Sequence, residues 1–208
     1  MHNIDTKFMN AIAKTIMHCN STKESFSFAN SFNEKQIKSK EWLINKLIWK
    51  CDDSPTSICI LGSWYSSLLP YMLLTTFQGI KKIDCVESDP NVQHIAKVFN
   101  ESMEWDNKVF LYEEDEKKFI NMNETEDYDL VINTSCAHMS YDMKDVVKKG
   151  VTYAFESNNH HNYHGTDRQI NCKNSLSEFE KSTGLKDIIV SDENDMEEYT
   201  KFLVIGKC

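Results

Sequence analysis

Polar and acidic residues follow four short apolar runs of the sequence, each at the point where a strand would end. The four sets are Gly62-Ser63-Trp64-Tyr65, Glu87-Ser88, Glu113-Glu114-Asp115 and Asn133-Thr134-Ser135. In α/β proteins, ligands bind beyond the carboxyl ends of the sheet strands. These residues are therefore the first candidates for a binding site.

The residue types at these strand ends suit a nucleoside. Gly62 lets the backbone approach a ligand closely, and a helix that begins soon after it would favour a carboxylate or another anion. Glu87 stands 25 residues beyond Gly62, a separation at which an acidic side chain accepts hydrogen bonds from ribose hydroxyls. Asp115, after the third run, could accept a hydrogen bond from the exocyclic amine of adenine.

The glycine pattern argues against a dinucleotide. A dinucleotide fold uses G-x-G-x-x-G to bring its backbone against the pyrophosphate, and this chain has only Gly62 at the corresponding place. The pattern predicts a ligand without phosphates. An NAD-dependent oxidoreductase is accordingly disfavoured.

The elements that must position these residues alternate between strand and helix. Strand-like runs at 57–62, 81–87 and 108–115 are separated by apolar stretches with helical spacing, and further strand-like runs follow to residue 207. This alternation predicts an α/β, Rossmann-like, doubly wound and mostly parallel sheet in three layers. We expect residues 34–208 to form this domain, with a solvated helix face at 142–149 and a loop at 192–198. Residues 1–33 are expected to form an N-terminal helical and loop segment, with a short amphipathic stretch around 8–16 and a loop over 25–34. Cys59 and Cys85 lie inside apolar strand-like runs, where a thiol packs as a small hydrophobic residue.

Beyond these features, several stretches carry a likeness to a known superfamily. They are 36–43, 60–65, 133–139, 156–159, 170–172 with 175–176, and 199–207. On these residues the chain, over roughly 34–208, resembles the class I methyltransferases that use S-adenosylmethionine (SAM), and more narrowly small methyltransferase-like proteins of phage and marine microbes. The resemblance implies that SAM is the cofactor.

The same resemblance assigns roles to residues of the cofactor site. Gly62 would lie beside the methionine part of SAM, Glu87 would hold the ribose, and Asp115 would hold the adenine. The further candidate cofactor contacts are Ser63, Trp64, Tyr65 and Ser88. Lys40 would meet the methionine carboxylate. The chain departs from the family where Trp64-Tyr65 replaces a glycine-rich loop, and where Ala137 stands in place of an expected acid.

Candidate catalytic residues follow the fourth run, where acceptors usually sit in this superfamily. They are Asn133, which could also touch the cofactor, Ser135 and His138. A neutral imidazole titrates near neutral pH, so His138 is the first choice for a proton acceptor, with a structural role as the alternative. The Asn-Pro-Pro-Tyr sequence of enzymes that act on base amines is absent.

The polar stretch 157–168 is the candidate acceptor loop, because it follows a predicted strand and has no apolar periodicity. Its candidate contacts are Asn158, Asn159, His164 and Arg168, the only arginine in the chain. Arginine can hold a carboxylate or phosphate with two hydrogen bonds. The histidines and Cys172 lack the spacing of known metal motifs, so we predict no metal site.

Composition limits the remaining classes. The chain has 208 residues, a formal net charge of −9 and seven cysteines without a CxxC pair. The charge disfavours nucleic acid as the main partner, the cysteine pattern disfavours a disulfide framework, and no apolar run is long enough to span a membrane. We expect a cytoplasmic enzyme with a small polar acceptor.

Two alternatives keep SAM but change the chemistry. The same fold supports transfer or cyclisation of the aminocarboxypropyl group, which would leave methylthioadenosine. The missing glycines and Ala137 also leave open a SAM-binding module without catalytic activity.

Overall fold

The computed structural model describes residues 5–50, 54–122, 127–161 and 169–208. Seven α-helices occur in these ranges: α1 (Thr6–His18), α2 (Thr22–Asn30), α3 (Glu34–Lys50), α4 (Leu68–Thr76), α5 (Pro90–Met103), α6 (Glu116–Met122) and α7 (Leu176–Thr183). The amphipathic stretch at the N-terminus is confirmed as α1, whose Asp5 caps the helix by accepting from the N–H of Phe8 at 2.7 Å.

The strands form one mixed sheet. They are β1 (Ser57–Leu61), β2 (Lys82–Glu87), β3 (Val109–Glu113), β4 (Leu130–Asn133), β5 (Thr152–Asn158), β6 (Asp187–Asp195) and β7 (Thr200–Lys207), in the order β3-β2-β1-β4-β5-β7-β6. β4 pairs in parallel with both β1 and β5, and β7 pairs antiparallel with β5 and β6. The predicted Rossmann-like α/β fold, with helices on both faces, is confirmed.

The central strands are buried on both faces, which explains their continuous apolar sequence. Ile58 and Cys59 in β1 and Cys85 in β2 are fully buried. Burial raises the pKa of the Cys85 thiol to about 12, so this cysteine packs as a small hydrophobic residue, as its sequence context predicts.

The chain divides into two compact units. Unit 1 comprises 1–56 and 63–115, and unit 2 comprises 57–62 and 116–208. The core of unit 1 contains an aromatic cluster in which the Phe8 ring packs 4.0 Å from Tyr71 and 5.7 Å from Phe99, and the Phe28 ring 5.3 Å from Tyr65. Helices α1 and α2 are therefore part of the core of unit 1.

The expected loop over 25–34 is wrong, because α2 occupies most of it. Ser21 and Glu24 cap the N-terminus of α2: the Ser21 hydroxyl accepts from the Glu24 N–H at 3.2 Å, and the Glu24 carboxylate accepts from the N–H of Asn20, the residue before the cap, at 2.7 Å. Phe28 anchors the helix in the core. Together these contacts outweigh the poor helix propensity of the serine-rich segment.

Two further expectations from the acidic stretches are also wrong. The run 192–198, expected to be a loop, lies largely in β6, an edge strand whose exposed positions tolerate acidic residues. The stretch 142–149, expected to be a solvated helix face, has only a short 3-10 helix at Met143–Asp145. Met143 and Val146 are buried there, so packing rather than helix formation fixes this segment.

Candidate functional site

The loop after β1 has an unusual backbone. Gly62, Trp64 and Ser66 have φ values of +60°, +50° and +47°. A non-glycine residue in this left-handed region costs about 1–2 kcal/mol, and such residues concentrate at functional sites. Within unit 1 the turn is held by the Ser66 N–H, which donates to the Ser63 carbonyl at 2.9 Å, and by the two side-chain hydroxyls of these serines, also 2.9 Å apart.

Glu87, at the end of β2, holds this loop directly. Its Oε2 accepts from the Trp64 N–H at 2.9 Å, and its Oε1 accepts from the Asp89 N–H at 3.0 Å. Burial raises the pKa of Glu87, and the N–H groups of Asp89, Trp64 and Ser88 oppose this rise only in part. Each carboxylate oxygen can accept two hydrogen bonds, so Glu87 can still receive two hydroxyl donors.

The neighbours of β2 in unit 1 lie on opposite sides of it. The Ser63 N–H donates to the Val86 carbonyl at 3.0 Å, whereas the Glu114 N–H donates to the Glu87 carbonyl at 3.3 Å. Successive carbonyls of a strand point to opposite sides. Glu87 therefore lies between the Ser63–Trp64 turn on one side and the end of β3 on the other.

The other cofactor candidates in unit 1 differ in exposure. Ser63 and Lys40 are half-buried, and Ser88 and Asp115 are exposed. Tyr65 is buried and its hydroxyl donates to the Ser27 hydroxyl of α2 at 2.9 Å. Tyr65 therefore connects the loop to α2. Trp64, by contrast, is half-buried.

Gly62 lies against the turn after β4, within unit 2. Its carbonyl accepts from the Ser135 hydroxyl at 3.1 Å. A Cβ at position 62 would lie 2.7 Å from the Met139 Cε and 3.1 Å from the Ser135 Cβ. Both the left-handed backbone and the close approach require glycine here.

We expect Gly62→Ala to lower the unfolding free energy by about 1–3 kcal/mol, since it adds left-handed strain and a close contact. Gly79→Ala is the matched control, because its Cβ would meet only the Ser54 Cβ at 3.7 Å. Urea denaturation of both variants checks this. Equal stability of the two would contradict the close approach at Gly62.

The candidate catalytic residues have different surroundings. Asn133 is fully buried, its Oδ1 accepts from the Ser135 N–H at 2.7 Å, and its Nδ2 lies 3.8 Å from the Met143 sulfur. Ser135 is half-buried, and His138 is exposed with its backbone N–H bonded to the Ser135 carbonyl at 2.9 Å. Asn133 thus shapes the turn that carries Ser135 and His138.

A cleft of about 450 Å³ follows this turn in unit 2. It is lined by Met139, Ser140, Tyr141, Asp142, Lys144, Asp145, Ile170 and Asn171. Met139 borders both the cleft and Gly62. The volume is in the range of small-molecule sites. The sequence reasoning missed this cleft, because two segments distant in sequence form it.

A polar network forms one side of the cleft. The ammonium group of Lys173, a buried residue, lies 2.8 Å from an Asp142 oxygen and 2.7 Å from the Asn171 Oδ1. Burial raises the pKa of Asp142, but the hydrogen bond and charge of Lys173, followed by Asn171 and Lys144, outweigh it, so the net pKa is lowered. Asp142 is therefore a fixed anion, already paired.

The candidate acceptor loop is described only in part. The buried Asn158 accepts through Oδ1 from the His160 N–H at 2.8 Å, and the Asn159 Oδ1 accepts from the Thr200 N–H at 2.8 Å. Both side chains thus hold the end of β5 in place. His164 and Arg168 lie outside the described residues.

A buried ion pair lies below the end of β5. The Lys201 ammonium is 2.6 Å from the Glu156 Oε2, and their side chains are 10% and 0% exposed. The thiol of Cys136 lies close to this ion pair. Its pKa is raised mainly by burial and further by the Glu156 charge. Cys136 is therefore a neutral packing residue rather than a nucleophile.

Within the described ranges, no group of three or more His, Cys, Asp or Glu side chains has the arrangement of a metal site. None of the described helices combines the length and apolar character that a membrane crossing requires.

Solved structures similar to this chain use the same fold. MtNAS in complex with MTA and tNA matches with a TM-score of 0.59 and 15% identity, over 97% of this chain and 70% of that one. A variant of MtNAS in complex with S-adenosylmethionine matches with a TM-score of 0.58 and 16% identity, over 97% and 72%. The N-methyltransferase NodS from Bradyrhizobium japonicum WM9 matches with a TM-score of 0.59 and 10% identity, over 86% and 99%.

These similarities show the fold alone, which is the fold of the class I SAM-dependent methyltransferases. No protein-family model matches the chain, and no curated protein sequence matches it.

Proposed function

We propose that this protein is a SAM-dependent methyltransferase that acts on a small polar acceptor. The observation that carries this proposal is Glu87, a half-buried carboxylate at the end of β2 whose two oxygens accept from the Trp64 and Asp89 N–H groups. This arrangement fits a ribose, because the carboxylate keeps room for two hydroxyl donors. The bound forms of the similar solved structures support the same cofactor.

The remaining cofactor contacts are proposed within each unit. In unit 1, Glu87 with Ser88 would hold the ribose, Ser63 and Trp64 would lie on the side of its 5′ substituent, and Asp115 would face the adenine. Lys40 would hold the carboxylate of the methionine part. In unit 2, Gly62 would allow the close approach that its missing Cβ permits. SAM, once bound, supplies an electrophilic methyl group.

The chain's own residues would align the acceptor and remove its proton. The cleft beside Met139 would hold the acceptor, with the Asp142–Lys173–Asn171 network as its fixed polar wall. His138 would take the proton, and Ser135, oriented by Asn133, would position the acceptor group. Asn158 and Asn159 would support this wall, and His164 and Arg168 remain candidate acceptor contacts.

A second candidate function is aminocarboxypropyl transfer. It is favoured by the MtNAS structure that holds MTA, since methylthioadenosine is the part of SAM left after that group has been transferred. Incubation with SAM and a panel of small amines, acids and phenols distinguishes the two. S-adenosylhomocysteine supports methyl transfer, methylthioadenosine supports the alternative, and tight SAM binding without either product indicates a binding module.

The cellular location of the protein and a narrower group of similar proteins are also part of this proposal. We propose that it acts in the cytoplasm and groups with the small phage and marine methyltransferase-like proteins that its motifs resemble.

As the pH falls, SAM binding should begin to weaken at a higher pH than it would if the carboxylate that holds the ribose were exposed. The ionised Glu87 accepts the ribose hydroxyls, and its raised pKa means that protonation begins above the ordinary range for glutamate. We expect SAM affinity to be full above that pKa and to fall about tenfold per pH unit below it. Calorimetry from about pH 8 to about pH 5 should show this for the wild type and a flatter profile for Glu87→Gln; matching profiles would contradict it.

A further inference from the structure

We propose that the Trp64 indole recognises the positive charge of the SAM sulfonium by a cation–π contact, so that the chain binds SAM more tightly than its neutral demethylated product. The inference rests on the proposed function and assigns a specific role to the residue that replaces the expected glycine. An indole is the best aromatic group for a cation. Discrimination of this kind would favour release of the product after each turnover.

The position of Trp64 relative to Glu87 argues for the sulfonium rather than the adenine. Ser63 lies on one side of β2 and Glu114 on the other, as their hydrogen bonds to the Val86 and Glu87 carbonyls show. If Glu87 holds the ribose, a base on the β3 side leaves the 5′ substituent on the Trp64 side. In SAM that substituent is the sulfonium.

The contacts of Trp64 hold it in one arrangement. Its backbone N–H donates to the Glu87 Oε2 at 2.9 Å, and its backbone has a φ of +50°. Its ring packs on Tyr65 with centroids 4.9 Å apart and planes inclined by 33°. Tyr65 is itself fixed by the Ser27 hydroxyl at 2.9 Å and by the edge of Phe28 at 5.3 Å.

This support makes the indole a preorganised surface. A side chain that is already ordered loses little conformational entropy when a ligand binds. Trp64 is half-buried rather than fully buried despite these contacts, so the residue keeps some exposed surface. Helix α2, through Ser27, therefore contributes to cofactor recognition without touching the cofactor.

The test compares a charged and an uncharged ligand. Calorimetry is carried out with SAM and with S-adenosylhomocysteine on the wild type, Trp64→Phe and Trp64→Leu. We expect Trp64→Leu to raise the Kd for SAM by about 5- to 30-fold, and the Kd for S-adenosylhomocysteine by less than about 2-fold. Trp64→Phe should fall between the wild type and Trp64→Leu. Phe26→Leu, on the 74% exposed Phe26 of α2, is the control and should leave both affinities unchanged.

Each outcome decides the matter. Equal losses for both ligands would overturn the sulfonium contact in favour of stacking on the base or simple packing, and unchanged affinities would overturn it altogether. If Trp64→Leu does not fold, Trp64→Phe decides through the same ratio of affinities. A wild type that binds neither ligand would overturn the proposed function and this inference together. A wild type that binds both ligands, with a ratio of affinities that the Trp64 substitutions leave unchanged, would overturn only this inference.

Discussion

Replacing Glu87 by glutamine should raise the Kd for SAM by about 100-fold or more. Hydrogen bonds to an ionised group each contribute about 1.5–3 kcal/mol, and the carboxylate is proposed to accept two from the ribose. The amide keeps the size of the side chain but loses the charge and turns a donor towards one of the N–H groups of Trp64 or Asp89. Calorimetric titration with SAM measures the loss.

The control removes the same charge elsewhere in unit 1. Glu101 lies on an exposed position of α5, so Glu101→Gln should leave SAM affinity within about twofold, as expected for a surface charge. Circular dichroism would confirm that both variants are folded. An unchanged Kd in folded Glu87→Gln would remove Glu87 from the cofactor site.

Replacing Lys201 by methionine should destabilise the protein by about 3–5 kcal/mol, because it leaves the fully buried Glu156 carboxylate without its cation. Urea denaturation at neutral pH measures the change in unfolding free energy. The double variant Lys201→Met with Glu156→Gln should recover most of the loss, since it removes the buried charge as well.

An exposed ion pair provides the comparison. Lys38 and Glu34 are 2.7 Å apart on α3, but their side chains are 59% and 78% exposed. Lys38→Met should therefore cost less than about 1 kcal/mol. If Lys201→Met is no more destabilising than Lys38→Met, burial does not increase the contribution of the Glu156–Lys201 pair to the unfolding free energy, and the prediction is wrong.

The fold could be predicted because its central strands are buried on both faces. The apolar runs that became β1, β2 and β4 have few other structural solutions, and their order along the chain determines the parallel topology. β6 could not be predicted in the same way. It is an edge strand with mostly exposed positions, so its acidic sequence resembles that of a loop.

The part of the candidate site that could be predicted consists of residues at the ends of single strands. Glu87 is the last residue of β2, and its Oε2 accepts a hydrogen bond from the Trp64 N–H. The cleft depends on residues near 140 meeting residues near 170, a long-range contact with no local signal. Asn133 was recognised as a polar residue at a strand end, but only the fold reveals that its side chain is buried.

The most direct test of the central claim is native mass spectrometry of the purified, folded protein together with calorimetry using SAM, S-adenosylhomocysteine and NAD. We expect a bound adenosine-containing ligand without phosphate and measurable heat with SAM, both lost in Glu87→Gln. Absence of heat with SAM and with S-adenosylhomocysteine, or tighter binding of NAD than of SAM, would contradict it.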